Sequence, residues 1–218
     1  KLNRVFPGDA NGTSSERLAH LVYERGVRRA DLGIDLHQGG TKRMINEVRV
    51  RCGSDHSLHA ECLELARVFG TEYILDEKGA DGQLARAAPD DGIPLIDPEL
   101  GGTVGWDPTS IDIGVQGILN VLAHYGFTEG EPTLPDAPVR ATGFEEVYAN
   151  RGGLIDLAVD LHDHVETGDR LFAITDVFGT VKEVVEAPAS GIVWRMRRLP
   201  MVATGEQVLK IGIGVQSL

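Results

Sequence analysis

The stretch Ala30-Asp31-Leu32-Gly33-Ile34-Asp35-Leu36-His37-Gln38-Gly39-Gly40 decides how this chain is read. Its apolar centre has the length of a buried strand, and the polar Asp-Leu-His end followed by two glycines stops that strand sharply. In an open α/β sheet, ligands bind beyond the carboxyl ends of the strands, so His37 would be presented to a cleft. A metal ligand or an acid/base group is one reading of such a histidine. A side chain that only caps the turn is the other, because one histidine does not make a metal site.

A second stretch repeats the design. Ile93-Pro94-Leu95-Ile96-Asp97-Pro98-Glu99-Leu100-Gly101-Gly102 is again an apolar run that ends in an acid and a glycine pair. Parallel strands ending in His37 and Glu99 would bring both side chains to one sheet edge, the mark of a catalytic cleft. Ahead of the first strand, Thr13-Ser14-Ser15-Glu16 supplies an N-cap and an acidic first turn, with Leu18, Leu21, Val22 and Val27 as the apolar face of a helix. Helix then strand is half of a βαβ unit. Further helices are expected near 58–68 (Leu63, Leu65, Ala66 and Phe69 in the core), at 82–88, and at 110–125, with Ile111, Val115, Ile118, Leu119 and Leu122 as its apolar side. Residues 72–75 read as a short strand, and 47–51 as a strand or extended loop bordering the cleft. Lys42, Arg43, Arg49 and Arg51 concentrate positive charge there, either facing an anionic substrate or forming a solvated surface.

Three smaller features invite a functional reading and have plainer alternatives. Asn3-Arg4, in the loop closed by Pro7-Gly8, sets an amide beside a guanidinium, a fork suited to a carboxylate, although adjacent polar loop residues are commonly just solvated. Cys52, His56, His59 and Cys62 have spacings reminiscent of a zinc cluster; core cysteines with exposed histidines is the simpler account. His162-Asp163-His164 falls in a turn and is expected in solvent, with metal binding as the alternative.

The chain has 218 residues, 42% of them hydrophobic and 25% charged, the make-up of an ordinary globular protein. A formal net charge of −12 argues against a general nucleic-acid or anionic-membrane binder, though not against a small anionic substrate, which local arginines decide. There is no apolar run of the ~18–20 residues that span a bilayer, and no signal-peptide pattern. Two cysteines are too few for a disulfide scaffold, so a reducing, cytoplasmic setting is expected. The Pro-rich 131–138 stretch reads as a linker, which divides the chain into a catalytic domain at 1–131, a linker at 132–139 and a C-terminal β domain at 140–218.

Past the linker, short runs at 154–161, 170–175, 179–185, 191–196 and 207–213 read as the strands of a small β-barrel or sandwich. The turns Val165-Glu166-Thr167-Gly168-Asp169, Ala187-Pro188-Ala189-Ser190-Gly191 and Thr204-Gly205-Glu206 resemble those of biotinyl and lipoyl carrier folds. The lysine such carriers modify at a hairpin tip is not evident, so the resemblance implies a fold and not a carrier function.

Taken in order, Leu2-Asn3-Arg4-Val5-Phe6-Pro7-Gly8, then Ile34-Asp35-Leu36-His37-Gln38-Gly39-Gly40, then Pro98-Glu99-Leu100-Gly101-Gly102 resemble the motifs of the succinylglutamate desuccinylase and aspartoacylase family. These are zinc enzymes related to the M14 carboxypeptidases. The resemblance covers nearly the whole chain, the C-terminal barrel included. It implies an α/β fold with a zinc-carboxypeptidase-like mixed sheet flanked by helices, and a zinc-dependent amidohydrolase that splits a small N-acyl amino acid, acetyl or succinyl, into a carboxylate and a free amino acid. By the same resemblance His37 is the third ligand of a single Zn2+, Glu99 the general base, and Asn3 with Arg4 the grip on the substrate carboxylate; Asp35 orients either the strand end or the imidazole. Among family members the arrangement resembles bacterial deacylases, including those acting on N-acetyl-diaminobutyrate in ectoine breakdown.

The family's first zinc motif, a His and a Glu separated by two residues, and its oxyanion-stabilising arginine lie upstream of the Asn-Arg pair. The expectation is therefore an N-terminally incomplete record that opens on Lys1 and lacks the sheet's first strands, with an apolar edge left exposed and room for self-association. A binding fragment without catalysis and a carboxypeptidase-type metallopeptidase are the competing functions.

Overall fold

Alternation along the strands decides which side chains of this protein can meet. The computed structural model describes residues 1–102 and 107–218. In the first part of the chain the strands are β1 (Gly33–Ile34), β2 (Arg43–Met44), β3 (Glu47–Val50), β4 (Tyr73–Asp76), β5 (Leu95–Glu99) and β6 (Val139–Ala141). The helices are α1 (Ser14–Arg25), α2 (His59–Phe69), α3 (Leu84–Ala87) and α4 (Pro108–His124). The remainder is β7 (Gly143–Tyr148), β8 (Gly153–Leu157), β9 (His164–Val165), β10 (Arg170–Thr175), β11 (Val181–Glu186), β12 (Gly191–Met196), β13 (Met201–Val202), β14 (Gln207–Ile213) and β15 (Gln216–Ser217).

The first sheet is mixed, in the order β1-β5-β3-β4-β6-β15, with β1/β5, β3/β4 and β4/β6 parallel and β3/β5 and β6/β15 antiparallel. Its two faces are separated by the period-2 pleat. Val48, Val50, Ile74 and Ile96 pack under α2 and α4, with Leu65, Phe69 and Val121. Leu75 and Ala141 face the other way, into a cluster with Ile192 and Trp194 of the C-terminal half. Residues 139–141, at the end of the expected linker, thus add a strand to this sheet.

Only part of the apolar faces expected of α1 and α4 is buried: Val27 and Ile118 pack against the core, and most of the rest does not. Leu18, Leu21 and Val22 are exposed on α1, which buries Ala19 and Tyr23 instead. On α4, Ile111, Val115 and Leu119 are exposed, while Ser110, Gly114, Gly117, Asn120 and Val121 are buried. Close approach explains α4. A Cβ on Gly117 would lie 2.4 Å from the Phe69 ring, so only glycine lets α4 settle on α2. Asn120 then binds the carbonyls of Phe69 and Thr133 and accepts from the Thr133 N–H, fastening the start of the linker to the helix. The capping box expected for α1 is present between Thr13 and Glu16.

The C-terminal strands form two antiparallel sheets, β11-β10-β8-β13 and β2-β12-β14-β7, with β9 on the edge of β12. They share one core, with Leu171, Phe172 and Ile174 from one sheet against Val147, Val193, Leu209 and Ile211 from the other. One strand of the second sheet, β2, comes from the N-terminal half: Met44 pairs with Arg195, and Arg43 with Met196. No helix among the described residues is long and apolar enough to cross a membrane.

Candidate active site

The β1/β5 pairing runs on past the strand ends, through His37 N–H to the Pro98 carbonyl and Leu100 N–H to the His37 carbonyl, and forms a parallel bridge between His37 and Glu99. The adjacent β3 faces β5 with Glu47 opposite Glu99 and Arg49 opposite Asp97. Directly opposed residues share a face, so the pleat projects Asp35, His37, Glu47, Arg49, Asp97 and Glu99 together, on the side of the sheet turned toward the C-terminal half. The glycine pairs that stop both runs let the loops close up. A Cβ on Gly102 would fall 1.6 Å from the Lys42 carbonyl oxygen.

Arg49 is the hub. Its Nε and Nη2 donate to Glu47 Oε1 at 2.8 and 2.5 Å, and its Nη1 lies 2.9 Å from Glu99 Oε1. Burial alone would depress the guanidinium pKa, but Glu47, Glu99 and Asp97 more than offset it and the net shift is upward. The second oxygen of Glu47, itself 0% exposed, accepts the indole N–H of Trp194. A chain of contacts thus runs from the C-terminal sheet through Glu47 and Arg49 to Glu99.

His37 Nε2 lies 3.0 Å from Asp35 Oδ2, 3.1 Å from Asn3 Nδ2 and 3.9 Å from Asp97 Oδ1. One ring nitrogen cannot donate to Asp35 and accept from Asn3 at once. The hydrogen bond to Asp35 prevails over the cost of burial and, with the charges of Asp97, Asp35 and Glu99, raises the imidazole pKa to about 9, so the proton is directed to the carboxylate. Asn3 is held from its other end, where Oδ1 accepts the Leu84 N–H at 2.7 Å. Arg4 is exposed, with Nη1 turned back to the Asn3 carbonyl, so of the Asn-Arg pair it is Asn3 that reaches the histidine.

Asp97 completes the cluster. It is 3% exposed, burial lifts its carboxyl to about 6 against the pull of His37 and Arg49, and its Oδ1 has no hydrogen-bond partner among the described residues. Ligand atoms of His37, Asp97 and Glu99 lie within 4.8 Å of one another, the one such group of metal-ligating side chains among the described residues. An imidazole with carboxylates, one oxygen of them buried and unsatisfied, fits a divalent cation such as Zn2+. Beside them a cleft of about 350 Å³ is lined by Leu36, His37, Leu100, Ser110, Ile111 and Val115.

Cys52, His56, His59 and Cys62 do not converge on a metal. Both cysteines are free and buried in the core under α2. The two histidines are not exposed but half-buried, His59 against Asp76 at 2.8 Å and His56 against Asp90 at 3.3 Å. His162 does stand in solvent, yet in a left-handed conformation (φ 73°), with Nδ1 3.0 Å from the Tyr73 hydroxyl. Glu47, Asp97 and Trp194 were not singled out from the sequence. Asp97-x-Glu99 and Glu47-x-Arg49 carried a usable signal, since residues two apart on a strand share a face; Trp194 carried none locally.

Fold and cluster together define a class: a mixed α/β sheet flanked by helices, with a histidine-carboxylate cluster at its strand ends, followed by two antiparallel sheets. The catalytic-domain model of the succinylglutamate desuccinylase/aspartoacylase family matches residues 1–125, and the chain belongs to that family. It is 31% identical to the N-alpha-acetyl-L-2,4-diaminobutyric acid deacetylase of Halomonas elongata over 226 aligned positions, which take in all of this chain and 66% of that protein. Among solved structures, the apo form of the ectoine utilization protein EutE (DoeB) from Ruegeria pomeroyi superposes with a TM-score of 0.86 at 28% identity, covering 98% of this chain and 70% of that one. A succinylglutamate desuccinylase/aspartoacylase from Rhodobacter sphaeroides superposes at 0.82 and 28%, covering 96% and 66%.

Proposed function

We propose that the chain carries the hydrolytic site of a zinc-dependent deacylase, which cleaves the amide of a small N-acyl amino acid to a carboxylate and a free amino acid. The observation that carries the reading is the meeting of His37, Asp97 and Glu99 at the ends of paired strands, in a chain of this family. His37 would hold the metal, with the unsatisfied oxygen of Asp97 facing the same space. A catalytic zinc takes three protein ligands, of which we assign His37 as one. When bound, zinc supplies Lewis acidity toward the amide carbonyl and the attacking water.

The chain's own residues do the rest. Glu99 takes the proton of the attacking water and delivers it to the departing amine. Arg49, 2.9 Å from its carboxylate, holds Glu99 aimed. Asn3 and Arg4 grip the substrate carboxylate, and the apolar cleft beside His37 receives the aliphatic part of the substrate. The two C-terminal sheets, read as a barrel of the biotinyl/lipoyl type, serve as a wall of the site. The free, buried Cys52 and Cys62 suit a cytoplasmic enzyme.

The test uses N-acetyl-2,4-diaminobutyrate, N-acetyl amino acids and N-succinyl amino acids, with metal content measured alongside. His37→Ala should lose bound zinc. Glu99→Gln should keep zinc and lose on the order of 10²–10⁴ in kcat. A Glu99→Gln enzyme that turns over normally would remove that residue from the general-base role, and turnover of peptides in place of acyl amino acids would turn the assignment to a metallopeptidase.

A further inference from the structure

Cations are scarce in this acidic chain, yet several gather at one place outside the cluster just described. A cavity of about 190 Å³ lies between the loop that follows Gly40 and the end of β12, lined by Thr41, Lys42, Arg195, Arg197, Arg198 and Gln207 among others. Arg197 is already engaged, by Glu206 at 3.1 Å and the Met201 carbonyl at 2.7 Å. Among the described residues Lys42 has one hydrogen-bond partner, the neutral Gln207 Oε1 at 3.3 Å. Arg195 forms no ion pair with any described residue, and its Nε is buried without a hydrogen-bond partner. A buried donor left unmade is costly and calls for an acceptor.

The place is next to the chemistry. Lys42 sits five residues past His37, with its carbonyl against Gly102 just beyond Glu99. Arg195 pairs with Met44 of β2, and its electrostatic neighbours are Arg49 and the carboxylates of Glu99, Glu47 and Glu146. Burial and the charges of Arg195, Lys210 and Arg197 push the Lys42 ammonium down from its ordinary pKa against the partial offset of the Glu146 carboxylate, and a further anion would relieve that strain.

We propose that Lys42 and Arg195 form an anion subsite beside Glu99, built jointly by the β1–β2 loop and the C-terminal module, which takes a carboxylate. That carboxylate is either the distal one of a dicarboxylic acyl group on the substrate or one belonging to a free dicarboxylate. The first source rests on the deacylase reading; the second does not. The guanidinium of Arg195 is suited to a carboxylate by its fork of donors, and Lys42 adds a point charge.

The experiment titrates the zinc-loaded enzyme with succinate by calorimetry and, separately, compares kcat/KM for the N-succinyl and N-acetyl derivatives of one amino acid. Lys42→Gln and Arg195→Gln should each weaken succinate binding roughly tenfold or more, and Arg195→Lys should restore part of it. If the substrate supplies the anion, the succinyl-to-acetyl ratio of kcat/KM falls by about the same factor in both variants. If a free dicarboxylate is the ligand, succinate affinity falls while the ratio holds. Succinate binding that neither variant changes, or no succinate binding at all, overturns the subsite. Lys42→Gln lies on a loop and carries the test by itself should Arg195→Gln fail to fold. Succinate binding that responds to the variants in an enzyme that cleaves neither substrate would refute the deacylase reading and leave the subsite standing.

Discussion

Replacing Glu47 by Gln should expose the arithmetic of the contact chain that ties the two halves together. Both carboxylate oxygens are committed, one to two nitrogens of Arg49 at 2.8 and 2.5 Å and the other to the Trp194 indole N–H. A glutamine has one acceptor oxygen and one NH2 group. If the NH2 faces Trp194, two donors collide; if it faces Arg49, two guanidinium N–H groups lose their acceptor. Either orientation leaves a buried donor unmade and removes one charge from a buried pair, changes that together cost about 3–5 kcal/mol. Because Arg49 keeps Glu99 at 2.9 Å, the low end of that range is expected. Trp194→Phe deletes the donor and part of a fully buried ring, at a cost of about 3 kcal/mol. In the double variant the amide NH2 can turn to the phenyl ring and its oxygen to Arg49, so the two changes should cost about 1–2 kcal/mol less together than the sum of each alone. Urea unfolding of the four proteins at pH 7, followed by circular dichroism, measures this. Additivity to within about 0.5 kcal/mol would show that Glu47 and Trp194 do not share the contact.

Two further outcomes follow from the packing and the charges. Gly117→Ala should destabilise by about 1–3 kcal/mol despite the better helix propensity of alanine, because the new methyl meets the buried Phe69 ring at 2.4 Å; a rise in Tm would refute the close approach of α4 to α2. In metal-free protein, Asp97→Asn should flatten the pH dependence of stability between about 4 and 6. The native carboxyl is lifted from 3.8 to about 6 by burial, so its contribution is complete below the unfolded value and is lost as pH rises through 6. Chelator-treated wild type and variant, unfolded in urea across that range, should differ in slope, and parallel curves would refute the assignment.

The sequence carried the strand ends well and the helix faces poorly, for physical reasons. His37 and Glu99 were legible because an apolar run cut short by glycine is a local signal, and the parallel register of β1 with β5 does what the pattern implied. Arg49 could be seen as a cation near the cleft and Glu47, two residues before it, as its neighbour on one strand face, but its second carboxylate partner, Glu99, comes from a register no local pattern states. Leu18, Ile111 and Val115 misled because hydrophobicity ranks residues by transfer cost, whereas α4 is seated by the small size of Gly114 and Gly117. Trp194 lies 147 positions from the glutamate it binds and was beyond the reach of any window of sequence. Arg195 was out of reach for the same reason, since its neighbours exist only after two distant segments fold together.

The exchange of strands between the halves limits how such a protein can be taken apart or recombined. The N-terminal half lends β2 to the C-terminal sandwich, and β6, at the end of the linker, pairs with β4 and carries β15 beside it, so the backbone ladder crosses the boundary in both directions. A cut at the linker would strip each half of strands supplied by the other and leave Glu47 buried without its indole. The two parts behave as interlocked pieces rather than as modules on a string, and a cassette swap between relatives would have to carry the Arg43–Met44 segment and the C-terminal tail along with it.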